Sequence, residues 1–177
     1  MLLDRNFNVN TTDLTLTLVE EATVRSIEQF IYREARLLDT WKFWEWDKLF
    51  TDDGMYWVPH KHNQANPFDH ISLFWENRML RETRIRRVEN VRNWSQQPQT
   101  QTAHLVGNVC IEGLDEDDCL VVSASFQATE WRLDQRQLAG RYTYKLIGNK
   151  VDGWKIKLKR VDLVNCNDVF ANLEVFV

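Results

Sequence analysis

The chain has 177 residues, of which 44% are hydrophobic and 27% charged, and its net charge is −4. That length supports one domain with a sizeable core, and the composition excludes a disordered chain. No stretch approaches the roughly 18 apolar residues of a membrane span, and no broad positive field is available to recruit nucleic acid or an acidic membrane.

Residues 1 to 18 are rich in Asn and Thr, with an alternation at Leu14, Leu16 and Leu18. They read as a tail: an added edge strand, a partner-binding arm or a disordered segment. From Val19 to Leu38 the period is helical, with Val24, Ile27, Ile31, Ala35 and Leu38 on one face. A second helix is expected over Trp41 to Phe50, with Trp41, Trp44 and Phe50 turned to the core. Asp52-Asp53-Gly54 reads as a turn, and Met55 to Val58 as a short strand stopped by Pro59. His60 to Asp69 is a polar loop. A third helix is expected from Ser72 to Val88, burying Leu73, Leu80 and Ile85, followed by a loop over Asn93 to Gln101.

Everything after Thr102 reads as strand. Leu120, Val122, Ala124, Phe126 and Ala128 alternate with polar or smaller neighbours. Asp115 to Asp118 form an acidic hairpin loop. Tyr142, Tyr144 and Leu146 share a face, and Trp154, Ile156 and Leu158 oppose Lys155, Lys157 and Lys159. Helices first and then a run of strands predicts an α+β domain over residues 19 to 177. Helices packed on one face of a strongly curved sheet make a cone with an internal hollow.

The chemistry-bearing residues are few. There is no GxGxxG and no Walker loop. Cys110, Cys119 and Cys166 are odd in number and widely spaced, and none has a histidine within three residues. A Rieske cluster, which needs two cysteines and two histidines at short spacing, is therefore not expected on this chain. The same cysteine usage, and a start with neither a basic nor an apolar leader segment, predict a reducing cytoplasm. His60, His62 and Asp69-His70 supply the residue types of a ferrous site, but on a loop with no rigid element to fix them. A polar loop of solvated histidines is the structural reading.

His104 can face Asp39 inside a cone and act with it as an acid–base pair, or stand as a structural histidine. Arg78, Arg81, Arg84, Arg86, Arg87 and Arg92 are interleaved with Glu76, Glu82 and Glu89. A salt-bridged helix face or a subunit contact fits them better than nucleic acid. Arg160 and Asp162 fall on the apolar face of the last strand if its period holds. They then pair with each other or with a partner, unless a bulge turns both to water.

Several blocks in order resemble the small β subunits of aromatic-ring-hydroxylating dioxygenases. Glu34 to Asp39 resembles the opening helix signature. Glu45-Trp46, Leu49 to Asp53 and Tyr56 to Pro59 follow, then Ile71 to Leu73 with Arg78, Leu80 and Glu82. His104 to Val109, Ala139 to Tyr142, Gly153 to Ile156 and Lys159 to Asn165 complete the set, which spans about residues 32 to 172. Three places depart from the family pattern: residues 75 to 78, residues 101 to 103, and Gly107 in place of a serine.

The resemblance implies a nuclear transport factor 2-like (cystatin-like) cone with a mixed or antiparallel sheet. It implies a non-catalytic subunit that binds no cofactor or metal itself. It would assemble with a catalytic α subunit, as three of each. That partner would carry a Rieske [2Fe-2S] cluster and mononuclear Fe(II), with electrons from NADH delivered through a reductase or ferredoxin. On this reading Trp154, Arg160 and Asp162 are structural, and Arg78, Arg81, Arg84 and Arg87 lie at or near a subunit contact. The alternatives are a stand-alone dehydratase or isomerase using Asp39 and His104, and a module that sequesters a small aromatic in the cone.

Overall fold

In the computed structural model, residues 5–168, 173 and 175–177 are described. Helix α1 (Glu21–Asp39) buries Ile27, Ile31, Ala35 and Leu38, the expected face. A short α2 (Phe43–Asp47) follows. The strands are β1 (Phe50–Pro59), β2 (Ser72–Glu76), β3 (Gln101–Leu114), β4 (Leu120–Trp131), β5 (Gln135–Asn149) and β6 (Gly153–Leu163), with α3 (Arg78–Val88) between β2 and β3. They form one six-stranded sheet in the order β2-β1-β6-β5-β4-β3. All neighbours are antiparallel except β1 and β6, so the sheet is mixed. The helices lie on its inner face, giving the nuclear transport factor 2-like cone.

Three expected elements are corrected. Ser72–Glu76 is a strand, and the third helix starts only at Arg78, where Asn77 caps it by accepting from the Leu80 N–H. Asp52-Asp53-Gly54 is not a turn between elements but part of β1, at an irregularity where pairing with β6 jumps from Phe50 to Met55. In α2 it is Phe43 and Trp46 that are buried, while Trp44 is exposed.

The last strand carries a further correction. Lys145 pairs with Leu158 but Leu146 pairs with Ile156, so Lys157 bulges out and the alternation inverts. Ile156 joins the main core, whereas Leu158 packs with Met55 and Trp57 on the outer face. Lys159, expected on the solvent side, is fully buried.

Residues 5–18 form no extended strand. Thr15 bridges to Leu114, Asn8 donates to Glu116 and Asp117, and Phe7 meets Trp75 edge-on at 5.8 Å. Leu16 and Leu18 stand in solvent. Among the described residues, β3 has no strand on its outer edge; only the bridge at Leu114 and Asp39, which accepts the His104 N–H, meet it there.

Candidate functional site

The expected hollow is filled by side chains. Glu34 follows Ile31 by three residues and precedes Leu38 by four, so the helical period sets it on the buried face of α1. Burial of a carboxylate demands partners, and three elements supply them. Lys159 on β6 donates to Oε1 at 2.7 Å, Tyr144 on β5 donates to Oε2 at 3.3 Å, and the Trp46 indole from α2 also donates to Oε1. The Lys159 ammonium lies 4.3 Å from the centroid of Tyr142, whose ring stacks on Phe126 at 4.0 Å. Burial pulls the Lys159 ammonium below its ordinary value, with Glu34 opposing that pull. Burial likewise holds the Tyr142 and Tyr144 hydroxyls well above theirs.

Beside this cluster, Phe176 is enclosed by Phe43, Trp46 and Tyr56. Arg84 lies between the rings of Phe74 and Phe176, at 3.9 and 3.8 Å from their centroids, and donates to Glu76 at 2.7 Å. Arg81 donates to Asp47 at 2.7 Å and to the Gly54 carbonyl at 2.6 Å, over the Phe50 ring. Arg81 and Arg84 are thus buried inside this chain, which corrects the expectation of a subunit contact for those two. Arg78, Arg86 and Arg87 remain exposed; Arg78 pairs with Asp52 and Glu82.

The pair weighed for acid–base work does come together. His104 Nδ1 is 2.6 Å from Asp39 Oδ1, the His104 N–H donates to Oδ2 at 2.9 Å, and the Thr102 hydroxyl donates to Oδ1 at 2.9 Å. With the carboxylate as acceptor, Nδ1 carries the proton. Burial would raise the Asp39 carboxyl, but these hydrogen bonds outweigh it and hold it below the usual range. The His104 side chain is 1% exposed, and its enclosed Nε2 has no hydrogen-bond partner among the described residues. The arrangement pins the C-terminal end of α1 to β3. Two clefts, of about 850 and 710 Å³, involve neither residue; both open on the outer face.

Arg160 and Asp162 follow the bulge to the outer face, where Arg160 donates twice to Asp162, at 2.7 and 2.8 Å, and lies over Trp57 at 4.3 Å. The bulge and the mutual pairing, weighed as alternatives, occur together. Trp154 is half-buried and donates to the Ser26 hydroxyl of α1 at 3.0 Å. The loop histidines do not converge: His60 and His70 lie 6.3 Å apart, whereas His62 Nδ1 is 3.5 Å from Cys166 Sγ. Among the described residues no group of three or more His, Cys, Asp or Glu has metal-site geometry, and the donor set does not fit a Rieske cluster. No helix among them is long and apolar enough to cross a membrane.

The main residues missed by sequence reasoning are Glu34, Lys159 and Phe176. Glu34 was signalled by helical spacing, whereas the bulge that buries Lys159 leaves no sequence mark.

The comparisons with known proteins agree in kind. The family model for the ring hydroxylating beta subunit matches residues 33–168. The chain is 28% identical to the benzene 1,2-dioxygenase subunit beta of Pseudomonas putida, over 82% of this chain and 83% of that one. It is 29% identical to the 3-phenylpropionate/cinnamic acid dioxygenase subunit beta of Photorhabdus laumondii, over 84% and 88%. The crystal structure of the benzoate 1,2-dioxygenase beta subunit from Burkholderia mallei superposes with a TM-score of 0.68 at 27% identity, covering 88% of this chain and 98% of that one. With a match across most of its length and the same cone, the chain belongs to the family of ring-hydroxylating dioxygenase β subunits.

Proposed function

We propose that this chain is the non-catalytic small subunit of the terminal oxygenase of an aromatic-ring dioxygenase. It assembles with a catalytic α subunit as three of each, in the cytoplasm. The α subunit carries the Rieske [2Fe-2S] cluster and the mononuclear Fe(II), and takes electrons through a reductase or ferredoxin. The β chain supplies the frame on which the α chains are held. Of the described residues, those from 19 onward make the cone, and 5 to 18 serve as an arm upon it. Arg78 and Arg87 remain candidates for the contact with α.

The observation that carries this reading is the filled cone. A dehydratase or isomerase needs substrate beside its acid–base pair. Here Asp39 spends both oxygens on His104 and Thr102, the imidazole is sealed, and the buried Phe176 and Arg84 pack on each other in the interior. Large aromatics and exposed arginines on the outer surface suit a subunit interface.

Co-expression with a candidate α chain tests the proposal. A hetero-oligomer on size exclusion, with NADH-dependent oxygenation of an arene that neither chain performs alone, is the expected result. A chain that stays apart from every α subunit offered, or that turns over substrate by itself, overturns it.

A further inference from the structure

The packing around Phe176 differs from ordinary core. Phe176 belongs to no strand or helix, yet it is 1% exposed. Its ring centroid lies 4.5 Å from Trp46, 5.6 Å from Phe43 and 5.9 Å from Tyr56, at angles of 42°, 51° and 72°. The Arg84 guanidinium stands 3.8 Å from its centroid. Tilted and edge-on rings around a central ring, with a cation near its face, are the contacts that recognise an aromatic by its quadrupole.

The surrounding groups are anchored without help from Phe176. Trp46 is fixed by its bond to Glu34. Arg84 is fixed by Glu76 and by the Phe74 ring. Tyr56 sits in β1, paired on both sides by β2 and β6. Beyond packing, Val177 makes two hydrogen bonds with the Tyr56 hydroxyl, accepting at 3.2 Å and donating at 3.3 Å. The occupant is tied to the rim, and the rim is built by other elements.

We infer that the cone contains a formed site for a single neutral aromatic ring, and that Phe176 occupies it in cis. The ring reaches its site at the high effective concentration of a tethered group, so a free arene cannot compete. The site selects for ring electrons as well as shape, because Arg84 faces the π surface. A cycloalkane of the same outline forfeits that contact. The inference stands apart from the assembly with α, since it concerns only the interior of this chain.

Phe176→Ala empties the site, and toluene and methylcyclohexane are the probes. The thermal unfolding midpoint of the variant should rise by roughly 3–6 °C with toluene at about ten times its Kd. Wild type should not respond at the same concentration, and methylcyclohexane should bind the variant at least several-fold more weakly. A variant that folds but does not respond to toluene overturns the inference, because the walls then depend on Phe176. An equal response of wild type, or equal binding of the two rings, overturns it as well. If Phe176→Ala is unfolded alone, folding on addition of toluene supports the site, and a chain unfolded with and without toluene counts against it. Assembly with an α subunit is measured separately, so failure here leaves that reading untouched.

Discussion

Lys159 Nζ lies 2.7 Å from Glu34 Oε1, and both side chains are sealed from solvent. Such a pair is expensive to bury and more expensive to break, because removing one partner strands the other charge. Lys159→Met should lower the unfolding free energy by about 3–5 kcal/mol in urea titration. Adding Glu34→Gln, whose amide oxygen still accepts from the Trp46 indole while its NH2 can donate to the Tyr144 hydroxyl, should recover part of that loss. Additive losses in the double variant would show that the two side chains are not coupled.

The Asp39 carboxyl should leave a mark on acid stability. Its value is depressed in the folded chain, so its contribution is complete above the ordinary aspartate range near pH 4 and is lost as pH falls through the folded value. Unfolding measured against pH should show wild type well above Asp39→Asn at neutrality, with the gap closing below about pH 4. A gap that stays constant with pH would remove the carboxylate from the account.

His104 separates the subunit reading from the pocket-enzyme reading. As a pin between α1 and β3, it should cost about 1–3 kcal/mol of stability when replaced by alanine, through the lost Nδ1 bond to Asp39 and the space left by the imidazole. The assembled oxygenase carrying His104→Ala should keep its kcat and KM at a temperature where it stays folded. A fall in kcat with an unchanged melting midpoint would return His104 to the chemistry.

Gly140 belongs to one of the blocks that resemble the family, and the sheet explains why it is a glycine. A Cβ there would lie 2.2 Å from the Asp162 carbonyl oxygen on β6 and 3.0 Å from the Phe126 ring. Gly140→Ala should push β5 from β6 and destabilise by roughly 2–4 kcal/mol, read as a lowered urea midpoint. Gly107→Ala is the control: nothing lies within 4 Å of its Cβ, and the midpoint should scarcely move.

Much of the fold was legible from period alone. The face of α1 and the alternation of β4 are copied into the structure almost residue by residue. Ser72–Val88 reads as one helix because Leu73 suits either period, and no glycine or proline marks the change at Asn77, which stands between Glu76 and Arg78. Lys159 falls on the opposite face from that expected because one bulged residue inverts everything after it, and the same bulge carries Arg160 and Asp162 to the outer face, as the bulged alternative required. The Asp39–His104 contact was anticipated as a pair. Its role depends on Thr102 and on the enclosure of the imidazole, which only the packed chain reveals. Phe176 could not be placed, since a lone aromatic outside any periodic segment carries no directional signal.

Strand β3 runs for 14 residues along the rim of the sheet with the bridge from Thr15 at its far end. Asp39 caps the His104 N–H of this edge, but along the rest of it no strand pairs among the described residues, and with Leu105 standing in solvent it forms a template that an extended chain can join. A β chain made in excess of its partner should therefore drift into oligomers as its concentration rises. Balanced synthesis of the two subunits then becomes a matter of keeping this protein dispersed as well as of filling the complex.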